Sequence, residues 1–197
     1  MRFELVLAIV MIVAVSITLF AIVESEPVAG VSTAGKANST ARIVSIDESK
    51  FPEAPQLVGI TGYINTTPQE LQQEMKGKVI LYNFWTWSCI NCIHEIPYVN
   101  SWYEKYADKG LLVIGIHTPE SVSVADPTGI QAAVIKDGIK YPVVLDTNGN
   151  TWNAFGNHYW PRAYLADSSG HIVYNHIGEG DYDITEKKIQ ELLAQRS

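Results

Sequence analysis

The chain has 197 residues, with 14 Lys and Arg against 21 Asp and Glu, for a formal charge of −7. That acidic balance argues against a nucleic-acid binder, whose phosphate contacts need clustered cations. With 47% hydrophobic and 18% charged residues, wholesale disorder is excluded. Two cysteines build no disulfide scaffold, and a chain of this length, enough for one domain with an appendage, needs none to hold a core.

Residues 1–23 read as a membrane anchor. From Leu5 to Val23 the chain is uncharged, and only Ser16 and Thr18 interrupt its apolar run. At about 1.5 Å per residue this run reaches roughly 28 Å, near the thickness of a bilayer core. A cleaved signal sequence is the competing reading, since the small residues Ala29, Gly30, Ala34 and Gly35 follow. Arg2 and Glu4 nearly cancel, so the flanking charge says little about orientation. Either reading carries the bulk of the chain out of the cytoplasm: on a single-pass anchor in the cytoplasmic membrane, or secreted if the segment is cleaved. Residues 24–50, rich in Ser, Thr, Ala, Gly and Val, read as a flexible linker. Asn38-Ser39-Thr40 and Asn65-Thr66-Thr67 fit the glycosylation sequon.

Residues 51–197 read as one α/β domain. Leu57 to Ile64 predicts a short hairpin or edge strand, and Pro68 opens a helix to Met75. Val79 to Trp85 is nearly all apolar, as expected of a strand buried on both faces. A helix from about Cys89 to Lys109 ends at Gly110. Leu111 to Ile116 is a second buried strand, Ile130 to Asp137 a helix stopped by Gly138, and Tyr141 to Leu145 a third strand. Pro161 to Ala166 and Ile172 to Ile177 form a hairpin about Ser168-Ser169-Gly170. In the last helix, Ile184 to Ala194, apolar Ile184, Ile189, Leu192 and Leu193 share one side. Strands alternating with helices, then a hairpin and a helix, predict a mixed central sheet with helices on both faces.

The chemistry points to Cys89-Ile90-Asn91-Cys92, where a buried strand gives way to a helix. Thiols at a helix N-terminus ionise more readily than free ones, and thiolate is the attacking species in disulfide exchange. Cys92, one turn further in, is within reach to displace whatever Cys89 captures. Haem attachment needs His after the second Cys, and Ile93 stands there. A structural zinc site needs four ligands, and no second cysteine pair exists. A copper site using Cys89, Cys92 and a loop histidine such as His158 stays open, as does a structural disulfide, although so small a loop constrains little chain.

These residues carry a resemblance. Asn83-Phe84-Trp85-Thr86-Trp87-Ser88-Cys89-Ile90-Asn91-Cys92 with Pro97, then Gly115-Ile116-His117-Thr118-Pro119-Glu120, Tyr141-Pro142-Val143, Tyr159-Trp160-Pro161 and Gly178-Glu179-Gly180-Asp181-Tyr182, resemble the thioredoxin superfamily. The likeness runs from about Ala54 to the C-terminus and is greatest to its TlpA- and DipZ-like extracytoplasmic branch. It implies a thioredoxin-like fold, with Cys89 as nucleophile and Cys92 as resolving thiol. It also implies a cis peptide before Pro161, a kink at Pro97, and Glu120 as proton acceptor for Cys92. Trp87, Trp160 and Pro161 would meet the substrate, and Trp85 would help wall the site. No cofactor beyond the redox-active Cys89–Cys92 disulfide is implied. Partners would be protein disulfide or thiol clients and a CcdA-like membrane electron donor. The function expected is that of a thiol–disulfide oxidoreductase acting as reductant.

Ser88 and Ile90-Asn91 depart from thioredoxin, which has Trp before its first cysteine and Gly-Pro between the pair; such residues tune the direction of electron flow. The stretch between Cys92 and Pro161 has room for an extra strand and helix. Thr86, three before Cys89, also fits the Thr-x-x-Cys pattern of peroxiredoxins, where its hydroxyl would hold peroxide, although Tyr82 replaces the proline of that pattern. A thiol peroxidase and a copper carrier are therefore the alternative readings.

Overall fold

The computed structural model describes residues 51–196. The predicted anchor, the linker and the Asn38 sequon lie outside them. Among the described residues, no helix is long and apolar enough to cross a membrane.

Six strands form one sheet: β1 (Gly62–Ile64), β2 (Val79–Trp85), β3 (Leu111–His117), β4 (Val143–Leu145), β5 (Arg162–Ala166) and β6 (Ile172–Ile177). Their spatial order is β1-β4-β3-β2-β5-β6. The central strands β2, β3 and β4 are parallel, while β1, β5 and β6 join antiparallel. Every residue of β2 and β3 is buried, which accounts for their unbroken apolar runs.

Five helices flank this sheet: α1 (Pro68–Glu74), α2 (Ile90–Tyr106), α3 (Pro127–Lys136), α4 (Asn150–Ala154) and α5 (Tyr182–Gln195). Residues of α2, α3 and α5 pack with Val79, Leu81 and Trp85 on one face. Leu71 of α1 and Trp152 of α4 pack with Ile80, Tyr82 and Phe84 on the other, together with Phe155. The described residues thus form a mixed sheet covered on both faces. Pro97 lies inside α2, and the helix continues through it. A short 3-10 turn, Ala107–Lys109, then ends at Gly110, whose φ of 108° suits glycine.

The structure departs from the pattern reading in three places. Helix α4 had no predicted counterpart. It is five residues long and shows no period; the Asp146 side chain holds its start by accepting from the Thr151 and Trp152 amides. With β4, it fills the room noted between Cys92 and Pro161. Secondly, β4 begins at Val143 rather than Tyr141, because Pro142 has no N–H to give a ladder. Thirdly, Ile184 is exposed, and Thr185, Ile189 and Leu192 form the inner stripe of α5. The helix starts two residues earlier than the apolar pattern suggested, and Ile184 lies about 100° around the helix from Thr185, off the buried stripe. Asn65, in the second sequon, donates its side-chain amide to the Ile139 and Tyr141 carbonyls.

Candidate active site

Strand β2 ends at Trp85, and four residues later Cys89 caps α2. Cys89 is extended (φ −84°, ψ 115°), and its sulfur accepts a hydrogen bond from the Cys92 amide at 3.3 Å. An N-cap sulfur faces the unpaired amides of the first helical turn, a setting that favours negative charge. Both cysteines are free thiols; Cys89 is half-buried and Cys92 is buried. Burial, with the Cys89 sulfur alongside, pushes the Cys92 thiol far above the ordinary range. Cys89 is therefore the accessible sulfur, and Cys92 needs help to lose its proton.

That help sits one turn further along. The inner face of α2 carries Cys92, Glu95, Ile96, Val99, Trp102 and Tyr106, a helical stripe that includes one carboxylate. Glu95 is only 3% exposed, and its carboxylate accepts from Asn83 Nδ2 of β2 at 2.7 Å. Burial pushes its pKa up to about 7 despite the Asn83 bond, and the Glu179 charge pushes the same way. Glu95 in turn acts electrostatically on Cys92. A carboxyl that gains and loses its proton near neutrality is suited to general acid–base work.

Glu120, the residue expected to play that part, is exposed beside Ser88, the neighbour of Cys89. Its carboxylate accepts from Ser88 Oγ at 2.6 Å on the surface, while the carboxyl that acts electrostatically on Cys92 is Glu95. Sequence reasoning passed over Glu95, although its spacing of three from Cys92 on a helix was a usable signal. It also missed Asn83 and His117. His117, at the end of β3, is buried, and burial lowers its pKa to about 4, so it is neutral at pH 7. Its Nε2 lies 3.3 Å from the Thr86 hydroxyl. Thr86 is itself fully buried, so the hydroxyl expected to meet substrate or peroxide is turned to His117 instead.

The remaining residues gather at the same end of the sheet. The Trp160–Pro161 peptide bond is cis. Trp160 donates its indole N–H to the Thr118 carbonyl at 3.0 Å and lies against Trp152, ring centroids 4.0 Å apart. Thr118 is held by Asp146, to which its hydroxyl donates. Trp87 donates to the Val124 carbonyl. Trp87, Trp160 and Cys89 all pack against the core cluster that contains Cys92 and Trp85. His158 is exposed. Among the described residues, no group of three or more His, Cys, Asp or Glu could hold a metal ion, so the copper reading finds no ligand set there.

A strand–dithiol–helix unit, a buried acid under the second thiol and a cis-proline turn define a thioredoxin-like domain. Residues 47–193 match the Redoxin family, and the chain belongs to it, in the TlpA/DipZ-like branch of the thioredoxin superfamily. Protein DipZ of Mycobacterium tuberculosis is 46% identical over 143 residues, which are 71% of this chain and 20% of that protein. This chain therefore spans about a fifth of the length of the DipZ proteins. The thiol-disulfide oxidoreductase YkuV of Bacillus subtilis is 31% identical, covering 72% of this chain and 94% of its own. A thioredoxin-like protein solved in solution in its oxidised form superposes with a TM-score of 0.66 at 29% identity, covering 75% of this chain and 98% of that one. The relatives named for their chemistry, YkuV and ResA, are thiol-disulfide oxidoreductases.

Proposed function

We propose that the domain reduces protein disulfides outside the cytoplasmic membrane, held there by residues 5–23. Cys89 thiolate attacks one sulfur of a client disulfide. The client S–S bond breaks, its other sulfur leaves as thiolate, and a mixed disulfide joins Cys89 to the client. Glu95 then takes the Cys92 proton, and Cys92 attacks the Cys89 sulfur. The mixed disulfide breaks, the second client thiol departs, and a Cys89–Cys92 disulfide remains. The client gains two electrons and the pair loses two. A membrane dithiol donor of the CcdA-like kind would restore the reduced state by the same exchange in reverse.

The observation that carries this reading is the division between the two sulfurs, one capping a helix and half-open, the other buried beside an acid that titrates near neutrality. The Trp160–Pro161 turn and Trp87 offer the client a surface next to Cys89, and their neighbours in the core cluster support that role.

The test is trapping combined with a measured potential. Cys92→Ser in membranes should accumulate mixed disulfides through Cys89, and Cys89→Ser should accumulate none. A potential toward about −270 mV fits a reductant, whereas one near −120 mV makes the domain an oxidant. Absence of any trapped partner, with no disulfide consumed by the reduced protein, rejects the reading.

A further inference from the structure

Strand β3 carries no polar side chain from Leu111 to Ile116 and then meets two in a row, His117 and Thr118, which are only 1% and 4% exposed. Polar groups are kept in an interior where they find hydrogen-bond partners. The partners of this dipeptide belong to two separate parts of the site, the loop that carries Cys89 and the turn that carries Pro161. Neither of those segments lies within a strand, so no sheet ladder fixes one against the other.

His117 reaches the nucleophile. Its ring stands edge-on to Trp85, centroids 5.2 Å apart, and its Nε2 lies 3.3 Å from Oγ1 of the fully buried Thr86. The Thr86 carbonyl accepts from the Cys89 amide at 3.2 Å. Two contacts therefore join the His117 ring to the residue whose sulfur caps α2. Thr118 reaches the other part. Its carbonyl accepts from the Trp160 indole at 3.0 Å, directly before the cis bond to Pro161. The dipeptide is itself held on both sides. The His117 carbonyl accepts from the Asp146 amide at 2.9 Å, and the Thr118 amide donates to the Trp85 carbonyl at 3.1 Å. The Thr118 hydroxyl donates to the buried Asp146 carboxylate at 3.0 Å. That carboxylate also accepts from the Trp152 amide, and the Trp152 ring lies against Trp160. An unbroken series of contacts thus runs from the Cys89 amide to the Trp160 indole, with one dipeptide at its middle.

We propose that His117 and Thr118 are positioning residues that set the nucleophile against the client: His117 holds Cys89 through Thr86, Thr118 holds Trp160, and the peptide between them fixes one relative to the other. Misplacing a reacting group by about 1 Å can cost about 100-fold in rate, which is why two loops that must meet one client disulfide are tied to the same buried pair. The inference rests on the dithiol reading, which makes Cys89 the attacking sulfur and Trp160 part of the client surface.

The experiment compares two disulfides reduced by the full chain, insulin and hydroxyethyl disulfide, the second having no polypeptide to lie against Trp160. His117→Leu should slow attack by Cys89 on both by about tenfold, as expected for one lost buried hydrogen bond. His117→Gln, whose amide can still meet the Thr86 hydroxyl, should recover most of that rate. Thr86→Val cuts the same link from its other side and serves if His117→Leu fails to fold. It should be as slow as His117→Leu, and the double variant no slower than either. Thr118→Val keeps the shape and frees the residue from the Asp146 carboxylate. It should raise KM for insulin by about fivefold, more than it lowers kcat and more than it raises KM for hydroxyethyl disulfide. His117→Gln as slow as His117→Leu shows a packing role and overturns the proposal for His117. Equal effects of Thr118→Val on the two disulfides overturn it for Thr118. A wild-type protein that reduces neither disulfide overturns the dithiol reading itself, whereas an active wild type with unaffected variants overturns only these two roles.

Discussion

Glu95 binds its proton more tightly when folded than when unfolded, with a pKa of about 7 against an ordinary 4.5. Between those values the native state holds a proton that the unfolded chain has released. Stability from this group is thus fully present below about pH 4.5 and is lost as pH rises through 7. Glu95→Gln keeps an acceptor for Asn83 and removes the titration. It should raise stability above pH 7 by about 2–3 kcal/mol, read as a higher denaturation midpoint, while slowing Cys92 resolution about 100-fold. A variant equally slow but no more stable would place the burial cost elsewhere. Residue by residue, the cysteine pair was legible because a strand running into a helix fixes the geometry of two sulfurs three positions apart. Glu95 was harder to see, because what sets it apart is burial against Asn83, a partner twelve positions away on another element. Glu120 looked the better acid by its place after a strand, yet the chain carries it outward to Ser88.

Among the elements, those read correctly from pattern have their reasons close at hand in sequence. The unbroken apolar runs of β2 and β3 and the Pro and Gly boundaries of α1 and α2 belong to this group. Helix α3 was read from Ile130, but it starts at Pro127, where Asp126 caps it by accepting from the Thr128 and Gly129 amides. Asp126→Ala should cost about 1 kcal/mol, measured by urea denaturation. Helix α4 is the opposite case, since its stability comes from across the fold. Asp146 is fully buried and accepts from Thr118, Thr151 and Trp152. Asp146→Ala strands three donors at once and should cost about 3 kcal/mol or more. It should also weaken client turnover, because Thr118 carries the carbonyl that holds Trp160. Full activity in that variant would show that Trp160 is positioned by its contact with Trp152 alone.

In the described domain the cysteine end of the parallel strands collects carboxylates, whereas the lysines at the other end are mixed with Asp108, Asp137 and Asp167, and Lys140 pairs with Glu104. Lys78, Lys109 and Lys140 stand just ahead of β2, β3 and β4, while the opposite ends lead to Cys89, Glu120 and Asp146. The turn after β6 adds Glu179 and Asp181 to the cysteine end. Arg162 begins β5 there, but its guanidinium is engaged with Asn175 and the Tyr164 ring. Encounter with a positively charged disulfide should therefore be faster than with a negative one. Cystamine should be reduced more rapidly than oxidised glutathione, and the ratio should fall as salt is added. A ratio insensitive to salt would remove long-range charge from the account. This arrangement was present in the sequence as positions but not as a pattern, because only the shared strand direction brings the carboxylates to one end.

Of the five tryptophans, Trp85, Trp87, Trp102 and Trp160 belong to or pack against the same core cluster as the two sulfurs. A disulfide is an efficient quencher of a neighbouring excited indole, and a pair of thiols is a weaker one. The protein accordingly contains its own optical gauge. Its ultraviolet emission should brighten when the pair takes up two electrons and dim when a client removes them, so each half of the cycle can be timed without attaching a dye.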